Sequence, residues 1–347
     1  MNRLDEQYKN LLLDILKNGH KKGDRTGTGT ISVFGRTIRH NMADGFPLLT
    51  TKKMAWKQIV TELMWFLRGE YNIQSLVQDD NYIWVGDAYK YYKKVFDLDT
   101  YGVLEPLSRE QFIDKIKNDD VFAQQWGDMG PIYGKQWRKW TNYTVDMPGF
   151  DAHFDETSVD QIKTLIHTLK TNPDSRRMMV SAWNVADLEN MKLPPCHYGF
   201  QVYTRELTFI ERLKIKEELF TVDTTDLDTE DKLDRYKIPK RAISLKWNQR
   251  SVDTPLGLPF NIASYGLLLL IIANEVNMIP EELIGDLGDT HIYINQIDGV
   301  DEQVIRKPFE LPKVFIRKGV TVDNITKEDI ELVDYKSHST IKFPLSN

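Results

Sequence analysis

Disulfide chemistry is closed to this chain, because its 347 residues include one cysteine, Cys196. A lone thiol cannot form an intrachain bridge, and a reducing compartment is expected. Metal-ligand patterns are missing too: no Cys/His cluster has the right spacing, so no metal site is expected. No apolar run reaches the ~20 residues of a membrane span. The most apolar stretch, 262–273, is broken by Ser264, Tyr265 and Gly266 and reads as a buried helix. The opening MNRLDEQYKNLLLDILKNG mixes acids and bases and lacks the apolar centre of a signal peptide. Positive charge is not in excess. A net charge of -6 argues against a protein that wraps nucleic acid, but not against a small anion held in a local arginine pocket. Repeats, low-complexity tracts and domain linkers are absent as well. One α+β domain over 1–347, soluble and cytoplasmic, is therefore expected.

What is present is enough to bury a core, since 41% of residues are hydrophobic. Apolar residues at helical spacing predict helices over 4–17, 55–68 and 160–172. In the second, Trp56, Ile59, Val60, Leu63, Met64 and Leu67 share one face. Short alternating or apolar runs predict strands over 31–40, 178–183, 198–204 and 241–247, with short strands again in the last third. Residues 79–126 read as an elaboration at the edge of the core. The polar stretch 217–240 reads as a surface excursion between two strands.

Cys196 follows Leu193-Pro194-Pro195 and precedes His197. Paired prolines before a strand make a rigid platform, although a lone cysteine is more often a small buried hydrophobe. A Cys196–His197 dyad is disfavoured, because strand neighbours point to opposite faces. Arg25, Arg176, Arg177 and Arg250 could form a phosphate cup, with Ser251 adding a neutral donor. Each alone reads as a solvated surface residue. The glycines of Gly27-Thr28-Gly29 match no nucleotide-binding fingerprint and read as a turn that positions Arg25. Asn261 offers a donor and an acceptor that suit a uracil edge, or a helix cap. His291 and Tyr293, two apart on a strand, could bond a sugar hydroxyl or be satisfied core polars. Glu62 lies at the border of an apolar helix face. It is either exposed at the seam or partly buried, and burial would suit proton transfer.

Several stretches together resemble the thymidylate synthase family. They are Asp24-Arg25-Thr26-Gly27-Thr28-Gly29-Thr30, Glu62-Leu63-Met64-Trp65-Phe66-Leu67-Arg68-Gly69 and Tyr133-Gly134-Lys135-Gln136-Trp137-Arg138. Asp174-Ser175-Arg176-Arg177, Pro195-Cys196-His197, Gln249-Arg250-Ser251, 257–265 and 288–295 follow in the family's order. The resemblance implies an α+β homodimer with large mixed sheets back to back. It implies that Cys196 attacks C6 of dUMP, Glu62 organises proton transfers and Tyr133 assists proton removal at C5. Arg25, Arg250 and Ser251 would hold the phosphate, with Arg176 and Arg177 reaching across from the partner subunit. Gln249, Asp253, Asn261, His291 and Tyr293 would complete the dUMP site. Methylenetetrahydrofolate would be the co-substrate, with Lys52 at its glutamate tail, Trp84 beside the transferred carbon, Asp253 at the pterin, and Gly257 and Ser346 nearby.

The chain departs from the family pattern in places. Val85-Gly86-Asp87 follows Trp84 where the family has Asp, Gln296 stands where it has His, and Asn347 ends the chain in place of a small apolar residue. Insertions fall near 85–122 and 209–240. A sister reading, a dUMP hydroxymethylase in which water replaces hydride, shares these residues. A non-catalytic nucleotide- or RNA-binding protein on the same scaffold is the alternative of another class. Retention of Cys196, Glu62 and all four arginines argues against the latter, and Asn261 with Trp84 favours hydride transfer to a uracil nucleotide.

Overall fold

Strand pairing sets the architecture. The computed structural model describes residues 2–24, 26–97, 105–146, 153–219 and 229–346. In chain order the strands are β1 His20–Lys22, β2 Thr30–Asn41, β3 Trp140–Asp146, β4 His153–Val159, β5 Met179–Ser181, β6 His197–Glu206, β7 Arg241–Asp253, β8 Ile279–Tyr293, β9 Lys313–Ile316 and β10 Ile330–Val333. Six form one mixed sheet in the order β1-β2-β8-β7-β6-β5, while β3–β4 and β9–β10 are separate ribbons. Within the large sheet only β7 and β8 run parallel. Parallel neighbours need a crossover, and the helix Leu258–Val276 supplies it. The fold class is α+β, as the sequence implied.

That helix is apolar nearly all round because it lies in the core, with thirteen of its residues buried. It begins four residues earlier than the sequence pattern suggests. Pro259 is tolerated there because the first turn has no use for its missing N–H. Tyr265 stacks on Trp247 of β7 with ring centroids 5.4 Å apart and planes 7° apart. Trp247 is flanked in register by Phe200 on one side and Gly285 on the other. A Cβ at Gly285 would stand 2.4 Å from the Trp247 ring, so glycine there lets the indole lie flat. The sheet's other side carries Met179 and Tyr203, 58% and 65% exposed, with Gln201 between them in register.

Two expectations need correction. The helix Trp56–Leu67 is not amphipathic in place: residues 59–67 are all buried, Trp65, Phe66 and Glu62 included. Its supposedly solvated side is covered by other rings, since Trp84 packs on Trp65 and Tyr133 on Phe66. The last third holds a 15-residue strand, β8, and the helix Ile297–Val304 rather than short strands alone. β8 can be long because it is paired on both edges. Between β6 and β7 lie helices Phe209–Leu219 and Glu230–Arg235, gathered around buried Arg212, which bonds Glu230, Asp234 and the Ile238 carbonyl. The described residues of the edge elaboration are largely helical and pack around Tyr92, whose ring meets Phe96, Phe112 and Trp126 at centroid distances of 4.7, 5.2 and 4.9 Å.

Gly285→Ala should lower the urea midpoint of unfolding, with a cost of about 1–3 kcal/mol from the displaced Trp247 ring. An unchanged midpoint would show that the Trp247–Tyr265 stack can shift at little cost.

Candidate active site

Cys196 sits just before β6, held by its backbone from two sides. Its N–H donates to the Tyr133 hydroxyl at 2.8 Å, and its carbonyl accepts from the Arg250 N–H at 2.8 Å. The Arg250 side chain then bonds the carbonyls of Pro195 and Pro194 at 2.9 and 3.0 Å and lies over the Trp183 ring. The prolines bring no donors of their own, so a guanidinium fits their paired acceptors. Arg250 thus fastens the cysteine turn to β7.

His197 turns into the core. It stacks on Tyr133 at 4.3 Å, and its Nδ1 meets the Tyr265 hydroxyl at 2.8 Å. Burial pushes its pKa down to about 3. Such an imidazole stays neutral and is a poor base for a thiol, which removes the dyad on chemical as well as geometric grounds. Burial, with Cys196 and Tyr265 nearby, holds the Tyr133 phenol well above its ordinary value, so it remains protonated.

Glu62 is 9% exposed. The seam reading is therefore corrected: the carboxyl is inside, and Trp84 Nε1 donates to it at 2.8 Å. Burial pushes its pKa up to about 7, against the lowering effect of the Trp84 bond. A carboxyl poised there can both give and take protons near neutrality.

Asn261 is not a cap, because Gly257 occupies that position and Asn261 lies in the helix's first turn. Its Oδ1 accepts from Gln249 Nε2 at 3.1 Å. Gln249 is itself fixed, accepting from Trp247 Nε1 and donating to the Ser251 carbonyl. This chain of amides orients the Asn261 carboxamide. Asp253, at the end of β7, accepts from the Leu256 N–H at 3.1 Å and from Gln296 at 3.2 Å, and burial raises its pKa. His291 stands opposite Asp253 in register and packs edge-on to Tyr293 at 5.2 Å.

Lys52 faces inward. It is 4% exposed, its ammonium bonds the Pro255 carbonyl, and it lies 4.6 Å from the centre of the Phe343 ring. Burial pushes its pKa down to about 7, with Asp253 pulling the other way. Its ammonium packs against the C-terminal tail at Phe343.

Glu62, Trp84, Tyr133, Cys196, Gln249, Ser251, Asp253, Gly257 and Asn261 all line one cavity of about 450 Å³. Arg176 and Arg177 are exposed and do not line it. Arg25 and Asn347 lie outside the described residues. The turn before β2 is nonetheless shaped as expected: Gly27 and Gly29 have φ of 74° and 80°, and Asp24 accepts from the N–H groups of Thr26 and Gly29. Ser346 accepts from the Asn295 side chain at 3.3 Å.

Sequence reasoning missed the apolar walls Ile83, Leu193, Leu256, Phe260, Phe343 and Leu345, which look like ordinary hydrophobic residues until the fold gathers them. It also missed Asp87. Asp87, in the first turn of the helix Val85–Asp97, lines the cavity.

The family model for thymidylate synthase matches residues 6–347. The chain belongs to the thymidylate synthase family. A thymidylate synthase of Mycoplasma mobile is 40% identical over 97% of this chain and 98% of its own length. Those of Sinorhizobium fredii and Listeria monocytogenes serotype 4a are each 38% identical over 98% of this chain, and over 97% and 99% of their own lengths. As a member of the family the chain is a methyltransferase that uses methylenetetrahydrofolate as co-substrate. Among the described residues no group of three or more His, Cys, Asp or Glu side chains could hold a metal ion.

Glu62 also makes a pH prediction. Its pKa of about 7 lies above the unfolded value near 4.5, so its favourable contribution is full below about pH 4.5 and is lost as pH rises through 7. Glu62→Gln should therefore be more stable than the native protein at pH 8, by about 3 kcal/mol, and by under about 1 kcal/mol at pH 5. Urea unfolding at the two pH values measures this; a pH-independent difference would place the carboxyl in solvent.

Proposed function

We propose that this cavity methylates dUMP to dTMP through a covalent adduct at Cys196. The observation that carries the reading is the convergence of Cys196, Glu62, Asn261 and Trp84 on one partly apolar cavity. A flat pyrimidine fits against these walls, and Asn261 offers its amide N–H and carbonyl to the O4 and N3–H of uracil. Cytosine would present a donor at C4 and a bare N3, the wrong match for an amide held in this orientation.

The Cys196 thiolate adds to C6 of the pyrimidine. A C–S bond forms and the C5=C6 pair moves toward C5 and O4, making C5 nucleophilic. Arginine charge around the phosphate favours the thiolate over the thiol. Glu62 exchanges protons with O4 through water, as its near-neutral pKa allows. Tyr133, held as the phenol, relays the C5 proton rather than removing it as a phenolate. Bound methylenetetrahydrofolate supplies both the one-carbon unit and the hydride that makes it a methyl group, leaving dihydrofolate. The C–S bond then breaks and its pair returns to sulfur. Trp84, fixed by its bond to Glu62, shields the carbon from water at the step that divides methylation from hydroxymethylation.

The phosphate cup is completed by a second copy of the chain. Arg176 and Arg177 are exposed in the turn just before β5, the strand that opens with exposed Met179. Packing the sheet side that carries Met179 and Tyr203 against its symmetry mate would cover both side chains and bring each arginine pair to the partner's Arg250. The chain is read as one domain acting in the cytoplasm, which an unpaired thiol suits.

Mixing the purified protein with dUMP and methylenetetrahydrofolate should give a methylated nucleotide with equimolar dihydrofolate, and Cys196→Ser should abolish turnover. A hydroxymethylated product without dihydrofolate would mean that water wins. No product from a folded dimer would leave only nucleotide binding. The shared site has its own test. Cys196→Ser protein mixed with the Arg176→Ala, Arg177→Ala protein should regain about a quarter of native activity after subunit exchange, because half of the molecules carry one intact site. No recovery would place each site within one subunit.

A further inference from the structure

We propose that Gln296 is a positioning residue that ties the C-terminal tail to Asp253, so that one side chain both shuts the cavity and orients the carboxylate that meets the folate. The inference rests on the reading of Asp253 as a pterin contact given above.

Gln296 is 1% exposed and makes three bonds. Its Nε2 donates to Asp253 Oδ2 at 3.2 Å and to the Pro344 carbonyl at 3.1 Å, and its Oε1 accepts from the Tyr293 N–H at 3.2 Å. A primary amide has two N–H donors and a carbonyl, so all three bonds form at once without a charge. A histidine, the family's usual residue here, can donate twice only as the cation and then has no acceptor left for Tyr293. This chain's glutamine therefore joins three segments that a neutral imidazole could not: the end of β8, the Asp253 turn and the tail.

The neighbours of Gln296 act on the same tail. Lys52 lies against Phe343 and Asn295 bonds Ser346, so the residues on either side of Pro344 are also held. Phe343 and Leu345 form part of the cavity wall. The charged groups around Gln296 are Asp253 and, acting on it, Lys52 and His291. A buried carboxylate with a lost donor would turn toward other partners, and the tail would lose its central bond, so removal of this amide should be felt by the folate far more than by dUMP.

The test uses Gln296→Met, which keeps the side-chain length and removes the donors, and Gln296→Glu, which keeps the acceptor for Tyr293 and sets a carboxyl against Asp253. Both should speed amide exchange of residues 341–343, 345 and 346 in the ligand-free protein about tenfold. Both should raise the KM for methylenetetrahydrofolate about tenfold while dUMP affinity changes less than about twofold. Unchanged tail exchange and folate KM in a folded variant would overturn the proposal. So would a parallel loss of dUMP affinity, which would mean that Gln296 merely supports the whole site. If the native protein used no folate, the proposed reaction would fall, and the exchange measurement alone would still decide whether Gln296 holds the tail.

Discussion

The parallel pairing of β7 with β8 is the constraint on which the site depends. Parallel neighbours cannot be joined by a hairpin, so the chain must leave the end of β7, cross the sheet face and return. The crossover is the Leu258–Val276 helix, and its first turn lands beside the end of β7. That one connection sets Asn261 against Gln249 and places Asp253 opposite His291. The antiparallel partner on the other edge, β6, begins where β7 is about to end, with His197 paired to Gln249. Cys196 therefore enters the same space. The Trp247–Tyr265 stack holds the helix at the right height on the sheet.

The polar groups of the site sit inside an apolar shell, and burial gives each its chemical state. It raises Glu62 toward neutrality and keeps Tyr133 a phenol, while His197 and Lys52 fall below their ordinary values. A buried charge without partners is costly, so these groups either lose the charge or find bonds. Glu62 has Trp84, and Asp253 has the Leu256 N–H and Gln296. The same arrangement makes Glu62 a source of instability at high pH. Proton-transfer competence at neutral pH and stability above it are opposed in this carboxyl.

Two segments outside the β6–β7–β8 frame build small satellite cores of their own, around Tyr92 in one case and Arg212 in the other. They leave the β6–β7–β8 frame intact. The change to Gln296 is different, because it alters bonds inside the site. Asp87, in the first turn of the helix Val85–Asp97, adds an acidic group to the cavity wall.

The sequence by itself determined the family and the α+β class, and it singled out Cys196, Glu62, Tyr133 and Asn261, which the fold gathers around one cavity. Those features lie in short motifs of fixed residue type and order. It also placed several helices and strands to within a few residues, because hydrophobic spacing follows the local geometry of helix and strand. Only the tertiary structure decided what covers the second face of the Trp56–Leu67 helix, and hence that Glu62 is buried. Only it turned Lys52 inward, set Arg250 on the proline carbonyls and gave Gln296 its three partners. Each of these depends on groups tens to hundreds of residues away in the chain. Local pattern says which way a side chain can point; the segments that fold against it decide whether it meets solvent, a charge or a ring.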